Sequence, residues 1–449
     1  MTTDLVAKYD QRVPRYTSYP TAPHFHPSVD AVTYRRWLGS LSPSTSLSLY
    51  LHVPFCRALC WFCGCHTKAT QRVAPIVRYA ELLGREIDLI ADALPAHFTV
   101  SHIHWGGGSP TLLPIEEFAR LSARLRERFD LAPDADIAIE IDPRTATQPM
   151  IAALATHGVN RASLGIQDFD QRVQEAINRV QSYATTERVA RWLHAAGIDA
   201  INLDLLYGLP HQTVETVSAT LRQALTLAPA RIALFGYAHV PWMKKNQSQI
   251  DEKALPSAAE RVAQFTAAQK ILQTAGYVPV GLDHFARADD AMAVSLAQGT
   301  LRRNFQGYTT DRADALIGLG ASAIGALPQG YVQNAADTAA WSRAIADGHL
   351  AAVRGVRLSD DDRVRRAIIE RLMCDMAVDL DAIARAYGFT AADFAAEISA
   401  TAPLVADGLV VVDGASIQIT EAGRPYSRVV CALFDRYLNK AQQRHAKAL

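Results

Sequence analysis

The chain has 449 residues, with 45 lysines and arginines against 45 aspartates and glutamates; 49% of its residues are hydrophobic and 20% are charged. These proportions exclude a disordered or fibrous chain, and the charge balance gives no general attraction to nucleic acid or to anionic lipid. No apolar run approaches the ~20 residues needed to span a bilayer, and the opening MTTDLVAKYDQRVPRYTSYP lacks the apolar core of a signal peptide, so the expected setting is cytoplasmic with no membrane or nucleic-acid partner.

Residues 1–46 are rich in prolines and aromatics (Pro14, Tyr16, Tyr19, Pro20, Pro23, Phe25, Pro27) and show neither helical nor strand period. So aromatic a segment predicts an extended arm lying on a body, because free tails rarely carry so much apolar surface. From residue 47 an alternation begins. β-rich runs are predicted at Ser48–Val53, Ser101–Trp105, Asp136–Ile141, Arg161–Ile166, Ala200–Leu206 and Arg231–Gly236. Helical patterns separate them, as at Val77–Ala93, Pro114–Phe129, Thr185–Ala196 and Val214–Ala228, with Gly158 and Gly197 as punctuation. Alternation of this kind means parallel βαβ units. Six units are too few for a full eight-stranded barrel, so a partial barrel and an open doubly wound sheet both fit.

The stretch Gly281–Asn334 breaks this rhythm with DHFAR, RNFQGYTT and GLGASAIG, and is expected to be irregular structure covering a site. Beyond Ser359, amphipathic helices at Asp360–Met373 and Leu380–Tyr387 precede a predicted hairpin around Asp413-Gly414, a small winged-helix-like unit. The expected organisation is an arm at 1–46, a barrel with its covering segment at 47–358, and a mostly helical C-terminal domain at 359–449.

Four of the six cysteines, Cys56, Cys60, Cys63 and Cys65, fall within ten residues directly after the first predicted strand. Four thiols on one short loop can converge on a soft metal centre. Structural zinc is one reading, but it usually needs two separated ligand pairs, and Cys374 and Cys431 stand alone. Buried thiols and a redox dithiol of Cys60 and Cys63 remain open. An iron–sulfur cluster suits the thiolates, although the C-x3-C-x2-C spacing differs from both ferredoxin patterns.

That spacing resembles the signature of the radical S-adenosylmethionine (SAM) enzymes. PRYTSYPTA, the CGC ending at Cys65, HWGGGSPT, EIDPR, GIQDF, DLLYGLP, YAHVP, DHFAR and RNFQGYTT together resemble one family among them, the oxygen-independent coproporphyrinogen III dehydrogenases of haem biosynthesis. The likeness covers roughly residues 10–440. It implies a partial (β/α)6 barrel of α/β class, with Cys56, Cys60 and Cys63 holding a [4Fe–4S] cluster whose fourth iron takes SAM. Cys65 would be needed for catalysis without being a ligand.

Strand ends are where a barrel collects its active site. The resemblance implies two SAM molecules there. Tyr50, Gly107, Glu140 and Ile324 would contact the first; Phe62, Gly108, Ser109, Gln167, Arg179, Asp204 and Ala238 would contact the second. Read as residues alone, Gly106–Gly108 could be a tight turn, Glu140 could cap a helix or pair with Arg144, and Arg179 could be a surface charge. Gln167 and Asp204 are polar groups within β-rich runs, where burial without a partner costs about 1–3 kcal/mol. The implied reaction converts two propionates of coproporphyrinogen III to vinyl groups, giving protoporphyrinogen IX. An electron donor such as flavodoxin or ferredoxin would serve a monomeric enzyme. A haem chaperone of the same superfamily is the alternative; those relatives usually carry an aromatic residue at the Cys65 position and lack the PRYTSYP arm. Four propionates also need local cations, and Arg15, Arg287 and Arg303 stand in motifs that suit site coverage.

Overall fold

The computed structural model describes residues 3–438; residues 439–449, the end of the expected C-terminal unit, lie outside the described residues, as do residues 1 and 2. Six parallel strands form its centre: β1 (Leu47–Val53), β2 (Thr99–Gly107), β3 (Asp130–Ile141), β4 (Arg161–Gln167), β5 (Ala200–Tyr207) and β6 (Arg231–Gly236). Their order in the sheet is their order in the chain, as right-handed βαβ connections produce. Helices such as Ala74–Ala91, Ile115–Arg128, Tyr183–Ala195 and Val214–Leu225 cover the outer face. The partial barrel is therefore the outcome, and the doubly wound alternative is set aside.

Strand parity positions the polar residues. In β4 and β5 buried residues alternate with partly accessible ones: Ala162, Leu164, Ile166, Ile201, Leu203 and Leu205 are buried in the main core, and Ser163, Asn202 and Asp204 face the barrel interior. Register aligns these interior groups, with Tyr50 beside His104, Glu140 beside Ser163, and Gly165 beside Asp204.

The covering segment differs from its expected irregularity. Ala315–Leu319 is a seventh parallel strand, on the outer side of β1, and it continues antiparallel through Ile324–Leu327, Gly330–Asn334 and Ala352–Arg357. These strands are four to six residues long and are rich in glycine, so they carry little periodic signal. Gly318 is required there: a Cβ would lie 2.7 Å from the carbonyl of Ile324.

The arm also differs. It contains helices at Thr3–Tyr9 and Ala31–Gly39; in the second, the Asp30 carboxylate accepts from the Thr33 N–H, while Tyr34, Trp37 and Leu38 turn into the main core. Tyr9, Val13, Tyr16 and Tyr19 pack with the helix Asp360–Cys374 and the hairpin Val410–Asp413/Ser416–Ile419, so the arm joins the C-terminal core. That unit also has a third strand, Ala377–Asp379. No described helix is long and apolar enough to cross a membrane.

Candidate active site

The cysteine loop leaves β1 at Val53 and is fastened by side chains from distant segments. Asn246 Nδ2 donates to the carbonyls of Cys60, Trp61 and Cys63 at 2.9–3.1 Å, and Gln247 Nε2 donates to that of Phe62 at 2.8 Å. Asn178 holds the Leu59 carbonyl, and Lys244 Nζ lies 3.3 Å from that of Cys65. None of these four residues stands out in the sequence, because polar side chains that grip a loop carry no spacing signal.

The sulfurs sit among donors. Arg144 Nη2 and Arg179 Nη1 each lie 3.5 Å from Cys60 Sγ, and Ser109 Oγ lies 3.9 Å from Cys56 Sγ. The Cys65 N–H donates to Cys63 Sγ at 3.4 Å. The Cys65 contact, with Lys244 and Arg179 nearby, holds the Cys63 thiol below its ordinary range, while burial pushes Cys56 up to about 11. Guanidinium and hydroxyl donors around loop thiols favour thiolates, so the donor set fits an anionic iron–sulfur cluster. Among the described residues no three candidate ligands converge on one metal ion, and ligands of three separate irons need not.

Arg179 is buried, which excludes a surface charge. Besides Cys60 it donates to the Gly165 carbonyl at 2.6 Å and to Asp142 at 3.4 Å. Arg144 pairs with Asp142 at 2.7 Å, so it does not pair with Glu140. Glu140 instead accepts from the Gly107 N–H at 3.0 Å and meets His104 Nε2 at 3.2 Å. Burial alone would raise the Glu140 carboxyl; the hydrogen bonds from His104 and Gly107 outweigh it and hold it low. The glycine loop is shaped by the chain itself. A Cβ on Gly107, at φ +111°, would lie 2.6 Å from the His52 ring; one on Gly108 would lie 2.5 Å from the Phe55 carbonyl oxygen.

Two cavities meet at Asp204, Phe235 and Gln306. The upper one, about 550 Å³, is lined by Phe62, Cys63, Gly64, Cys65, Gln167, Asp204 and Ala238 on one side. Arg15, Arg261, Asp283, Arg303 and Arg428 also line it, with Leu206, Phe235, Phe265, Leu282 and Phe305 among its apolar residues. Arg15 and Cys65 keep accessible surface, but it opens into this protein-ringed space. The lower cavity, about 260 Å³, holds Glu140 and the interior of the barrel. Asp204 stands in the middle of β5, not at its end; its oxygens accept from Ser163 Oγ and Asn202 Nδ2 at 2.8 Å, and burial raises it to about 6.

Of the expected SAM contacts, Phe62, Gln167, Asp204 and Ala238 share the upper cavity. Gly108, Ser109 and Arg179 lie in the shell that grips the cysteine loop. Tyr50 stacks on His104 at 5.8 Å, with Glu140 hydrogen-bonded beside it. Ile324 opens its strand, half-buried in a small cluster with Phe25 and Phe305. Gln167 has φ +72°, a left-handed conformation that side chains rarely adopt, at an irregularity in the β4–β5 ladder. Arg287 does not reach the cavity: it is exposed and pairs with Asp289 at 3.1 Å. Arg261 and Arg428, overlooked in the sequence, do.

Comparison with known proteins gives the family and the fold. The Radical SAM superfamily matches residues 50–224 and the HemN C-terminal domain matches residues 358–426. The chain is 50% identical over 450 residues to an oxygen-independent coproporphyrinogen III oxidase of Bradyrhizobium diazoefficiens, covering 100% of both chains. It is 44% identical to the one of Paracoccus denitrificans, over 98% of this chain and 97% of that one. A solved structure of coproporphyrinogen III oxidase from Escherichia coli, described as a radical SAM enzyme, superposes with TM-score 0.90 at 38% identity, covering 95% of this chain and 100% of that chain.

Proposed function

Because the chain belongs to the oxygen-independent coproporphyrinogen III oxidases of the radical SAM superfamily, we propose that it converts two propionates of coproporphyrinogen III to vinyl groups, yielding protoporphyrinogen IX and consuming two SAM. The observation that carries this reading is the upper cavity, which meets the cysteine loop on one side and arginines on another across an apolar middle. A tetrapyrrole with an apolar ring and charged edges has that distribution.

Cys56, Cys60 and Cys63 hold the [4Fe–4S] cluster, and the guanidinium groups of Arg144 and Arg179 offset the charge on Cys60. When bound, the reduced cluster and SAM would supply a carbon radical able to take hydrogen from the substrate side chain, which balances as a decarboxylation once CO2 leaves and one electron passes to an external one-electron acceptor. The chain's own residues position the reactants. Tyr50, Gly107, Glu140 and Ile324 serve one SAM; Phe62, Gly108, Ser109, Gln167, Arg179, Asp204 and Ala238 serve the other. Glu140, held ionised by His104 and Gly107, suits ligand hydroxyls. Cys65 lines the cavity directly beside the ligand set and acts on the substrate side. The apolar lining excludes water from reactive species. An external one-electron donor such as flavodoxin or ferredoxin reduces a monomeric, cytoplasmic enzyme.

The test is anaerobic turnover of reconstituted protein with a reductant, SAM, coproporphyrinogen III and a one-electron acceptor. Protoporphyrinogen IX and 5′-deoxyadenosine should form, with two SAM consumed per product. Haem binding with no decarboxylated product would replace this reading with a haem chaperone.

A further inference from the structure

The upper cavity has one wall where three arginines outnumber the carboxylate, Asp283, that offsets part of the charge of Arg15 and Arg303. Arg15 Nη2 donates to the Gly236 carbonyl at 2.8 Å, Arg261 Nη2 to that of Tyr237 at 3.0 Å, and Arg303 Nε and Nη2 to those of Tyr16 and Arg15 at 3.2 Å. These bonds fix the orientation of three guanidinium groups, and they end on neutral oxygens. Among the described residues none of the three is ion-paired to a carboxylate, and Arg261 Nε and Arg303 Nη1 are buried without a partner. Two carboxylates line the cavity. Asp283 is hydrogen-bonded to His284 at 2.8 Å, and Asp204 is engaged by Ser163 and Asn202.

Local structure is built around these cations. Gly208 adopts φ +82°, and a Cβ there would meet Arg261 Nε at 2.8 Å; a Cβ on Gly236 would meet Arg261 Nη2 at 3.1 Å and the Tyr207 hydroxyl at 2.9 Å. Two backbone positions are thus kept bare beside one guanidinium. Arg303 lies over the Tyr308 ring at 4.3 Å, which holds its plane. The fourth cation, Arg428, is lowered to about 10 by burial and by the nearby Arg15, with Arg261 adding to it. Like charges gathered in an enclosed space repel one another unless an anion joins them.

We propose that Arg15, Arg261 and Arg303 form a carboxylate-binding wall that holds the substrate propionates not undergoing reaction, and so selects which propionate faces the cysteine loop. This rests on the reading of the cavity as the coproporphyrinogen site. The planar fork of arginine matches a carboxylate through two parallel hydrogen bonds. A ligand held by its remote carboxylates across an apolar lining presents its remaining edge to Cys65 and Gln167.

The test uses reconstituted holoenzyme and two probes followed by quenching of protein fluorescence: coproporphyrin III, with four carboxylates, and its neutral tetramethyl ester carried in a nonionic detergent. Arg15→Met, Arg261→Met and Arg303→Met should each weaken coproporphyrin binding about tenfold or more, as expected for a lost charge-assisted contact, and leave the ester unchanged. Lysine at the same positions should restore part of the loss. Arg287→Met, at the exposed Asp289 pair, is the control and should bind as wild type does. In turnover, the three methionine variants should release more tripropionate intermediate per protoporphyrinogen. Where a methionine variant loses its cluster absorbance, the lysine variant is read in its place. Equal losses for coproporphyrin and the ester would make the arginines structural and overturn the proposal. Wild-type binding with no arginine effect would remove the wall and leave the substrate reading intact; wild-type protein that neither binds coproporphyrin nor turns over its reduced form would remove both.

Discussion

The two cavities that meet at Asp204 are both rich in charge, and they treat it oppositely. In the lower one most charges answer each other: Arg231 pairs with Asp290 at 2.6 Å, Arg161 with Asp290 and Asp136, and His102 with Asp311, while Glu140, beside His104, is the one proposed to meet a ligand as well. In the upper one Arg15, Arg261 and Arg303 end on backbone carbonyls. Buried charges that are mutually paired are explained by the fold alone, whereas a set oriented but unpaired points to a ligand. Glu140 apart, the contrast sets charges that the fold explains against the arginines proposed to meet a ligand.

The largest expected effect is at the cysteine loop, where the upper cavity begins. Cys56→Ala, Cys60→Ala or Cys63→Ala should each abolish cluster assembly, leaving below about a tenth of the iron, because three thiolates already leave one iron without a protein ligand. Cys65→Ser should keep its iron and lose turnover. Iron analysis and absorbance after anaerobic reconstitution decide the matter: a cluster kept by Cys63→Ser and lost by Cys65→Ser would reverse the ligand assignment.

Next come paired variants that set one cavity against the other. Arg231→Met leaves the Asp290 carboxylate, 6% exposed, with the longer Arg161 contact at 3.4 Å as its remaining cation and the Met292 N–H donating to it at 2.7 Å. Breaking a buried pair this way should cost roughly 3 kcal/mol of stability with little change in KM. Arg261→Met should do the reverse. Chemical denaturation and steady-state kinetics on both proteins check this, and a raised KM in Arg231→Met with no loss of stability would erase the distinction between the cavities.

Much of this arrangement is legible in the sequence. The six barrel strands are β-branched and apolar runs bounded by Gly or polar turns, and the cysteine spacing marks their first loop. Strand parity then places Glu140 and Asp204 in one interior. Other features are silent. Arg261 lies on the helix Ala258–Thr274, where a charge reads as solvent-facing, and only the folded chain brings Gly208 and Gly236 against it. Asn246 reaches three carbonyls across 183 to 186 residues of chain, and no local period encodes that. The arm helix Ala31–Gly39 did carry a signal, the Asp30 cap before Tyr34, Trp37 and Leu38, which the surrounding prolines obscured.

A third buried group sharpens the comparison by pH. Glu86 is 2% exposed behind β1, where it accepts from the Gly320 N–H and from Asn334 Nδ2 at 2.7 Å, and no cation pairs with it among the described residues. Burial outweighs these bonds and raises it from 4.5 to about 7. A raised carboxyl makes its contribution to stability below its unfolded value, and that contribution is lost as pH rises through the folded one. Between pH 4.5 and 7 the loss amounts to roughly 3 kcal/mol at most. Urea midpoints at pH 5 and pH 8 should therefore fall further for wild type than for Glu86→Gln; parallel curves would show that Glu86 titrates normally.

The smallest effect is at Gln167, where the upper cavity meets strained backbone. Its φ of +72° costs a side chain on the order of 1 kcal/mol, and the neighbouring ladder shifts register between Gly165 and Gln167. Glycine adopts that conformation freely, so Gln167→Gly relieves the strain but adds backbone freedom to the unfolded chain by a similar amount. Stability should therefore change by less than about 1 kcal/mol. The amide that lines the cavity would be gone, and turnover should fall while the cluster, held by a separate loop, stays intact. A clear gain in stability with undiminished turnover would mean that the strain serves no ligand. A large loss of stability would mean that the Gln167 side chain, like the paired groups of the lower cavity, belongs to the fold.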